Sequence, residues 1–168
     1  MTLQKIILIG SMGAGKTTLG KIIAKRVGWP YFDNDQEIQT LNHLSAHELS
    51  TMPVPELHKL EGEYLAWVIQ RPTSFISGAA ASVIDYPKSL ELLKSATSVY
   101  LRLPLEKILR RAGSSGIGRQ ALLENAKEVM MERHTRRDPL YRSVAKITIE
   151  LGDSPEADAQ EIINRLNL

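Results

Sequence analysis

Short apolar runs, each closed by glycine or a polar residue, alternate along this chain with stretches whose apolar positions recur every three or four residues. Residues 3–9 (LQKIILI) form an isoleucine-rich run that stops at Gly10, the pattern of a strand buried in a parallel sheet. Residues 17–27 then place Leu19, Ile22, Ile23 and Val27 on one helical face. Strand, glycine-rich turn and helix make the opening of a βα unit. A second strand is expected over 29–32, ending at Asp33, and a helix over 35–41. Residues 42–55 are polar and broken by Pro53 and Pro55, which predicts loop and short helical pieces.

From there the alternation continues. Residues 56–70 read as a helix through Leu57, Leu60, Tyr64, Leu65 and Val68, residues 73–77 as a third strand ending at Gly78, and 87–94 as a helix with proline in its first turn. Residues 98–103 (SVYLRL) read as a fourth strand, 104–111 as a helix, 122–137 as another, 146–150 as a fifth strand and 155–168 as a closing helix. Strands alternating with helices throughout predict a parallel sheet covered on both faces. No internal repeat or linker interrupts the pattern, and 168 residues suit one domain spanning 1–168.

Composition narrows the function classes. Hydrophobic residues make up 43% and charged residues 24%, an ordinary globular balance. The net charge of +2 favours an anionic ligand but is too small to predict nucleic-acid binding. With no cysteine, disulfides, thiolate metal sites and cysteine nucleophiles are excluded. Apolar runs of six residues or fewer are far short of a membrane span, and the first strand begins too early for a leader peptide. A cytoplasmic protein, acting as a monomer away from membranes, is expected.

The turn after the first strand carries the chemistry. Gly10-Ser11-Met12-Gly13-Ala14-Gly15-Lys16-Thr17 fits G-x-x-x-x-G-K-[ST], placed between a strand and a helix as the P-loop requires. Glycines let successive N–H groups face a β-phosphate at a helix N-terminus. Lys16 supplies a point charge for the β- and γ-phosphates, and Thr17 a hydroxyl for Mg²⁺. By chance the pattern would arise in on the order of one chain in a hundred of this length, before the strand and helix context is counted. Nucleotide contacts are therefore expected from Gly13, Ala14, Gly15, Lys16, Thr17 and Thr18. No NKxD guanine-reading motif follows, which weakens a GTPase reading, and the chain is too short for a motor.

Further pieces resemble one family. Phe32-Asp33-Asn34-Asp35, Gly78, Arg111 and Arg119 flanking the glycine- and serine-rich stretch 113–118, and Arg137-Asp138-Pro139-Leu140-Tyr141 followed by Val144-Ala145 are similar to the motifs of shikimate kinases, over nearly the whole length. The resemblance implies a three-layer α/β/α P-loop fold with strand order 2-3-1-4-5, ATP and Mg²⁺ as cofactors, and a small-molecule acceptor. It implies that Asp33 helps Thr17 hold the metal and that Asp35 orients the acceptor hydroxyl or takes its proton. Lys16 and Arg119 would stabilise the transferring phosphoryl group, with Arg119 on a lid over about 112–123, and Arg111 would stack on adenine. Arg137 would grip an acceptor carboxylate, with Gly78 and the segment of about 34–62 completing the acceptor site.

Two acceptor-site segments depart from the family pattern. The expected GExxFRxxE stretch reads Val54 to Glu61 here, with His58 or Lys59 in place of the arginine according to a one-residue shift. Lys59 is taken as the acceptor contact, with Glu61 as its acidic companion. The family's GGG is Gly78-Ala79-Ala80, whose methyl groups would narrow the pocket or conflict with a positive φ. The leading expectation is thus an ATP-dependent kinase of shikimate or a similar hydroxy acid. The alternatives are a kinase of another sugar acid or polyol, a nucleoside monophosphate kinase, or a nucleotide-binding regulatory protein derived from such an enzyme.

Overall fold

The computed structural model of this chain describes the backbone of residues 3–114 and 126–168, and the side chains of 3–110 and 127–168. Five strands, β1 (Lys5–Ile9), β2 (Tyr31–Phe32), β3 (Phe75–Gly78), β4 (Thr97–Arg102) and β5 (Ile147–Glu150), form one sheet in the order β2-β3-β1-β4-β5. Every pairing is parallel, with Leu8 opposite Gly78 on one side and Val99 on the other. The expected strand order stands. The helices are α1 (Lys16–Val27), α2 (Asn34–Asn42), α3 (Ala46–Thr51), α4 (Val54–Ile69), α5 (Pro87–Ser95), α6 (Leu105–Ser114), α7 (Ala126–Val144) and α8 (Pro155–Leu166). A 3₁₀ helix, Ala81–Asp85, follows β3 and was not expected from the sequence pattern.

The period of two in β1 separates two cores. Ile7 and Ile9 face a cluster with Ile38, Leu57, Leu65, Phe75, Ile84 and Tyr141, supplied by α2, α4, the 3₁₀ helix and α7. Ile6 and Leu8 face the opposite cluster with Leu19, Ile23, Val99, Ile149 and Ile162, supplied by α1 and α8. All four of these β1 side chains are at most 1% exposed, which is why the strand reads as a continuous apolar run.

Two expectations are corrected. The loop and short helical piece expected over 42–55 are present as α3 and the turns beside it, but the next helix, α4, starts at Val54 rather than at 56, with Pro55 in its first turn, where the missing N–H has no intrahelical partner to lose. Likewise α7 does not end at Arg137 but runs through Pro139 to Val144. An interior proline costs a helix about 3 kcal/mol. Beyond it Tyr141, 2% exposed, stacks on Tyr100 at 4.8 Å and donates a hydrogen bond to the Ala81 carbonyl at 2.8 Å, so tertiary packing holds the last turns in place.

Candidate active site

The strand order reverses at β1, so the crevice at the carboxyl ends of β1, β3 and β4 is where an open α/β sheet receives its ligand. The P-loop fills it. Gly15 stands at the N-cap of α1 with φ 90°, a conformation that a side chain would oppose. No side chain among the described residues caps that terminus, which leaves the first N–H groups of α1 to an anion. The loop is held by the Ala14 N–H donating to the Ser11 carbonyl at 3.2 Å, and Ala14 is buried beneath it while Thr17 and Thr18 lie exposed at its open end.

Lys16 curls into the loop. Its Nζ donates to the Gly10 and Ser11 carbonyl oxygens, each at 2.8 Å. Burial of the ammonium lowers its pKa from 10.5 to about 8; Asp35 opposes that shift, Arg137 adds to it, and Glu61 opposes it. Charged groups from three other elements therefore act electrostatically on Lys16. Gly78 lies beside it, and a Cβ there would stand 3.1 Å from the Tyr31 hydroxyl oxygen and 3.5 Å from Lys16 Cβ. The close approach of the Tyr31 hydroxyl is the contact that a side chain there would crowd, while the lysine stem stands at ordinary packing distance.

Two aspartates meet the loop at the end of β2. Asp33 caps α2, its Oδ1 accepting from the N–H groups of Asp35 at 3.1 Å and Gln36 at 3.2 Å. Its Oδ2 accepts from Thr17 Oγ1 at 3.1 Å. No cluster of three or more metal-ligating side chains occurs among the described residues. A hydroxyl and one carboxylate in contact fit Mg²⁺, which keeps phosphate and water oxygens in its remaining positions. Asp35 is exposed in the first turn of α2, with Asn34 Nδ2 donating to its Oδ1 at 2.9 Å.

The acceptor side differs from expectation. Lys59 points outward: its side chain is 75% exposed and pairs with Glu63 at 3.9 Å. Burial of Leu57 and Glu61 fixes the rotation of α4, and His58, one turn before Glu61, faces inward instead. His58 Nδ1 lies 2.7 Å from the Tyr86 hydroxyl, and Glu61 accepts a short hydrogen bond from Ser82 in the 3₁₀ helix. Ala79 and Ala80 adopt no positive φ (Ala80 has φ −61°), so their methyl groups sit without backbone strain.

Arg137 lies near the loop, lining a cavity of about 40 Å³ with Ser11 and Met12. It is not an unengaged fork. Its Nε donates to both oxygens of Asp85, at 3.2 and 3.1 Å, and its Nη2 also bonds Oδ2. The neighbouring Asp138 accepts from the Tyr100 hydroxyl at 2.7 Å, Arg102 Nε at 2.8 Å and Arg142 Nε at 3.0 Å. Of the lid expected over about 112–123, residues 115–123, Arg119 among them, lie outside the described residues, as does the side chain of Arg111.

Sequence reading missed three features. Asp85 carried no periodic signal. Asn34 was passed over between the two aspartates. A cavity of about 250 Å³ lies between Ala14, Gly15 and Thr18 of the loop region and Leu151, Gly152 and Pro155 after β5. That loop leaves the carboxyl end of a strand, which is the signal that could have found it.

Comparison with known proteins agrees with this geometry. The shikimate kinase family profile matches residues 12–167. A shikimate kinase of Neisseria gonorrhoeae is 31% identical, the match covering 97% of this chain and 96% of the relative. The solved shikimate kinase of Acinetobacter baumannii in complex with shikimate is 30% identical, with a TM-score of 0.87 over 99% of this chain and 94% of that one. The shikimate kinase of Aquifex aeolicus is 26% identical, with a TM-score of 0.81 over 98% and 96% of the two chains. P-loop, paired aspartates, sheet order and these relatives agree: the chain belongs to the shikimate kinase family, phosphotransferases that use an alcohol group as acceptor.

Proposed function

We propose that this protein transfers the γ-phosphate of ATP to a hydroxyl of shikimate, acting as a single-domain cytoplasmic monomer. The observation that carries the reading is Lys16 seated in the P-loop of a family member, with Thr17 bonded to Asp33 beside it and Asp35 and Arg137 acting electrostatically on the lysine.

The triphosphate lies along the loop N–H groups of residues 13–18, with the base in the cavity beside Leu151 and Pro155 and Arg111 stacked on it. Thr17 and Asp33 would hold Mg²⁺, whose charge offsets that of the β- and γ-phosphates. Asp35 accepts the proton of the acceptor hydroxyl as its oxygen bonds the γ-phosphorus; the bond to the β-phosphate oxygen breaks, and ADP leaves. Lys16 neutralises charge on the transferring group, aided by Arg119 from the 112–123 segment. Gly78, His58 and Glu61 border the acceptor, and Arg137 receives its carboxylate. Transfer is mainly positioning and charge neutralisation, so few residues suffice.

A coupled ADP-release assay with Mg-ATP tests this reading. Shikimate should stimulate turnover, and Asp35→Asn and Lys16→Ala should each lower it by at least a hundredfold. ATP binding with no stimulation by shikimate would refute the proposal and favour a nucleotide-binding regulatory protein.

A further inference from the structure

Asp85 closes the 3₁₀ helix after β3, and its side chain is only 18% exposed. It presents both carboxylate oxygens to Arg137, whose side chain is 12% exposed. The Nε–Nη2 edge of that guanidinium, a natural seat for a ligand carboxylate, is occupied from within by a carboxylate of this chain. Arg136 reaches the same aspartate with Nη1, and it also holds Glu132 at 3.0 Å. One acid is therefore shared by two adjacent arginines. Arg137 is the inner one, bordering the P-loop cavity, and Arg136 is 45% exposed. Burial pushes the Asp85 pKa up, but hydrogen bonds from Arg137 and Arg136 more than offset it, so the carboxyl is held ionised.

We propose that Asp85 is an internal competitor for the acceptor's carboxylate: it occupies the Nε–Nη2 edge of Arg137, and an acidic acceptor binds that edge by displacing it onto Arg136. The proposal rests on the reading of the chain as a kinase of a hydroxy acid and names the residue that sets the acceptor's affinity and class. Displacement strands no buried charge, because Arg136 keeps the aspartate paired while the acceptor pairs Arg137. Only a ligand offering a carboxylate can replace the two-oxygen pairing along this edge; a neutral polyol finds the edge already paired.

The test measures shikimate and its neutral amide against the whole protein, by calorimetric binding with a non-hydrolysable ATP analogue and by steady-state turnover. Asp85→Asn should tighten binding of the acid about tenfold, the scale of a charge-assisted hydrogen bond, with the amide changed less than twofold. Arg136→Gln, a substitution at an exposed position, removes the alternative seat and should weaken the acid about threefold or more without weakening the amide. It carries the test if Asp85→Asn fails to fold. Unchanged acid affinity in either folded variant, or a gain shared equally by the amide, overturns the proposal. Wild-type turnover of shikimate with no tightening in Asp85→Asn removes this proposal alone. Tighter acid binding by Asp85→Asn without any turnover supports it and removes the kinase reading; failure of both proteins to bind shikimate overturns both.

Discussion

Replacing Lys16 with methionine should make the nucleotide-free protein more stable while destroying its function. Burial lowers the Lys16 pKa from 10.5 to about 8, a displacement of 2.5 pH units. At 1.36 kcal/mol per unit, holding the ammonium charged in the fold costs about 3 kcal/mol at neutral pH. Methionine has similar length and no charge, but it leaves the Gly10 and Ser11 carbonyls without their lysine donor. That loss takes back about 1–2 kcal/mol. The net gain is about 1–2 kcal/mol, or about 2–8 °C in Tm for a chain of this size. The sign of the pH dependence follows from the direction of the shift. Between pH 8 and 10.5 the unfolded lysine keeps its proton and the folded one has lost it, so wild-type stability rises with pH across that window. The advantage of Lys16→Met should accordingly be largest at pH 7 and close towards pH 10.5. Urea denaturation at pH 7, 8.5 and 10 measures it, and added Mg-ATP should stabilise only the wild type. A variant less stable than wild type at pH 7, or a difference that does not change with pH, would refute the reasoning.

Two further outcomes concern the frame around the site. Asp138, held at a pKa of about 2 where burial that would raise it is outweighed by hydrogen bonds from Arg102, Tyr100 and Arg142, contributes stability above the ordinary carboxyl pKa of 3.8 that is lost as pH falls through about 2. Asp138→Asn should therefore cost about 1–2 kcal/mol at pH 7, allowing for solvent screening, and flatten the stability profile between pH 4 and 2 in denaturant titrations. Gly20→Ala would drive a methyl into the Tyr31 ring, so despite alanine's helix propensity it should destabilise by about 1–3 kcal/mol, read by thermal unfolding. An unchanged or raised Tm would show that the ring shifts freely.

The legible parts of this fold share a cause: their patterns are local. The β1 run is apolar throughout because both sheet faces are covered, and the P-loop spells out its phosphate chemistry in eight consecutive residues. The metal role of Asp33 is an implication of the family resemblance, and the structure places its Oδ2 within hydrogen-bond distance of Thr17. What escaped depends on distant partners. The continuation of α7 past Pro139 rests on Tyr141 against Tyr100 and Ala81. The choice between His58 and Lys59 was a one-residue ambiguity that burial of Leu57 and Glu61 resolves, since one residue is a rotation of about 100° on a helix. Asp85 acquires meaning only from an arginine 52 positions later.

The two cores also divide the labour of the molecule. The elements bearing Asp35, His58, Asp85 and Arg137 rest against one face of the sheet, whereas α1 and α8, which flank the P-loop and the cavity after β5, rest against the other. Between them stands β1, with alternate side chains committed to each. Remodelling on the first face can change what the enzyme phosphorylates without disturbing the engine that delivers the phosphate. The Ala79-Ala80 pair packs on that first face, whereas the G-x-x-x-x-G-K-T loop stands at the end of β1, between the two cores.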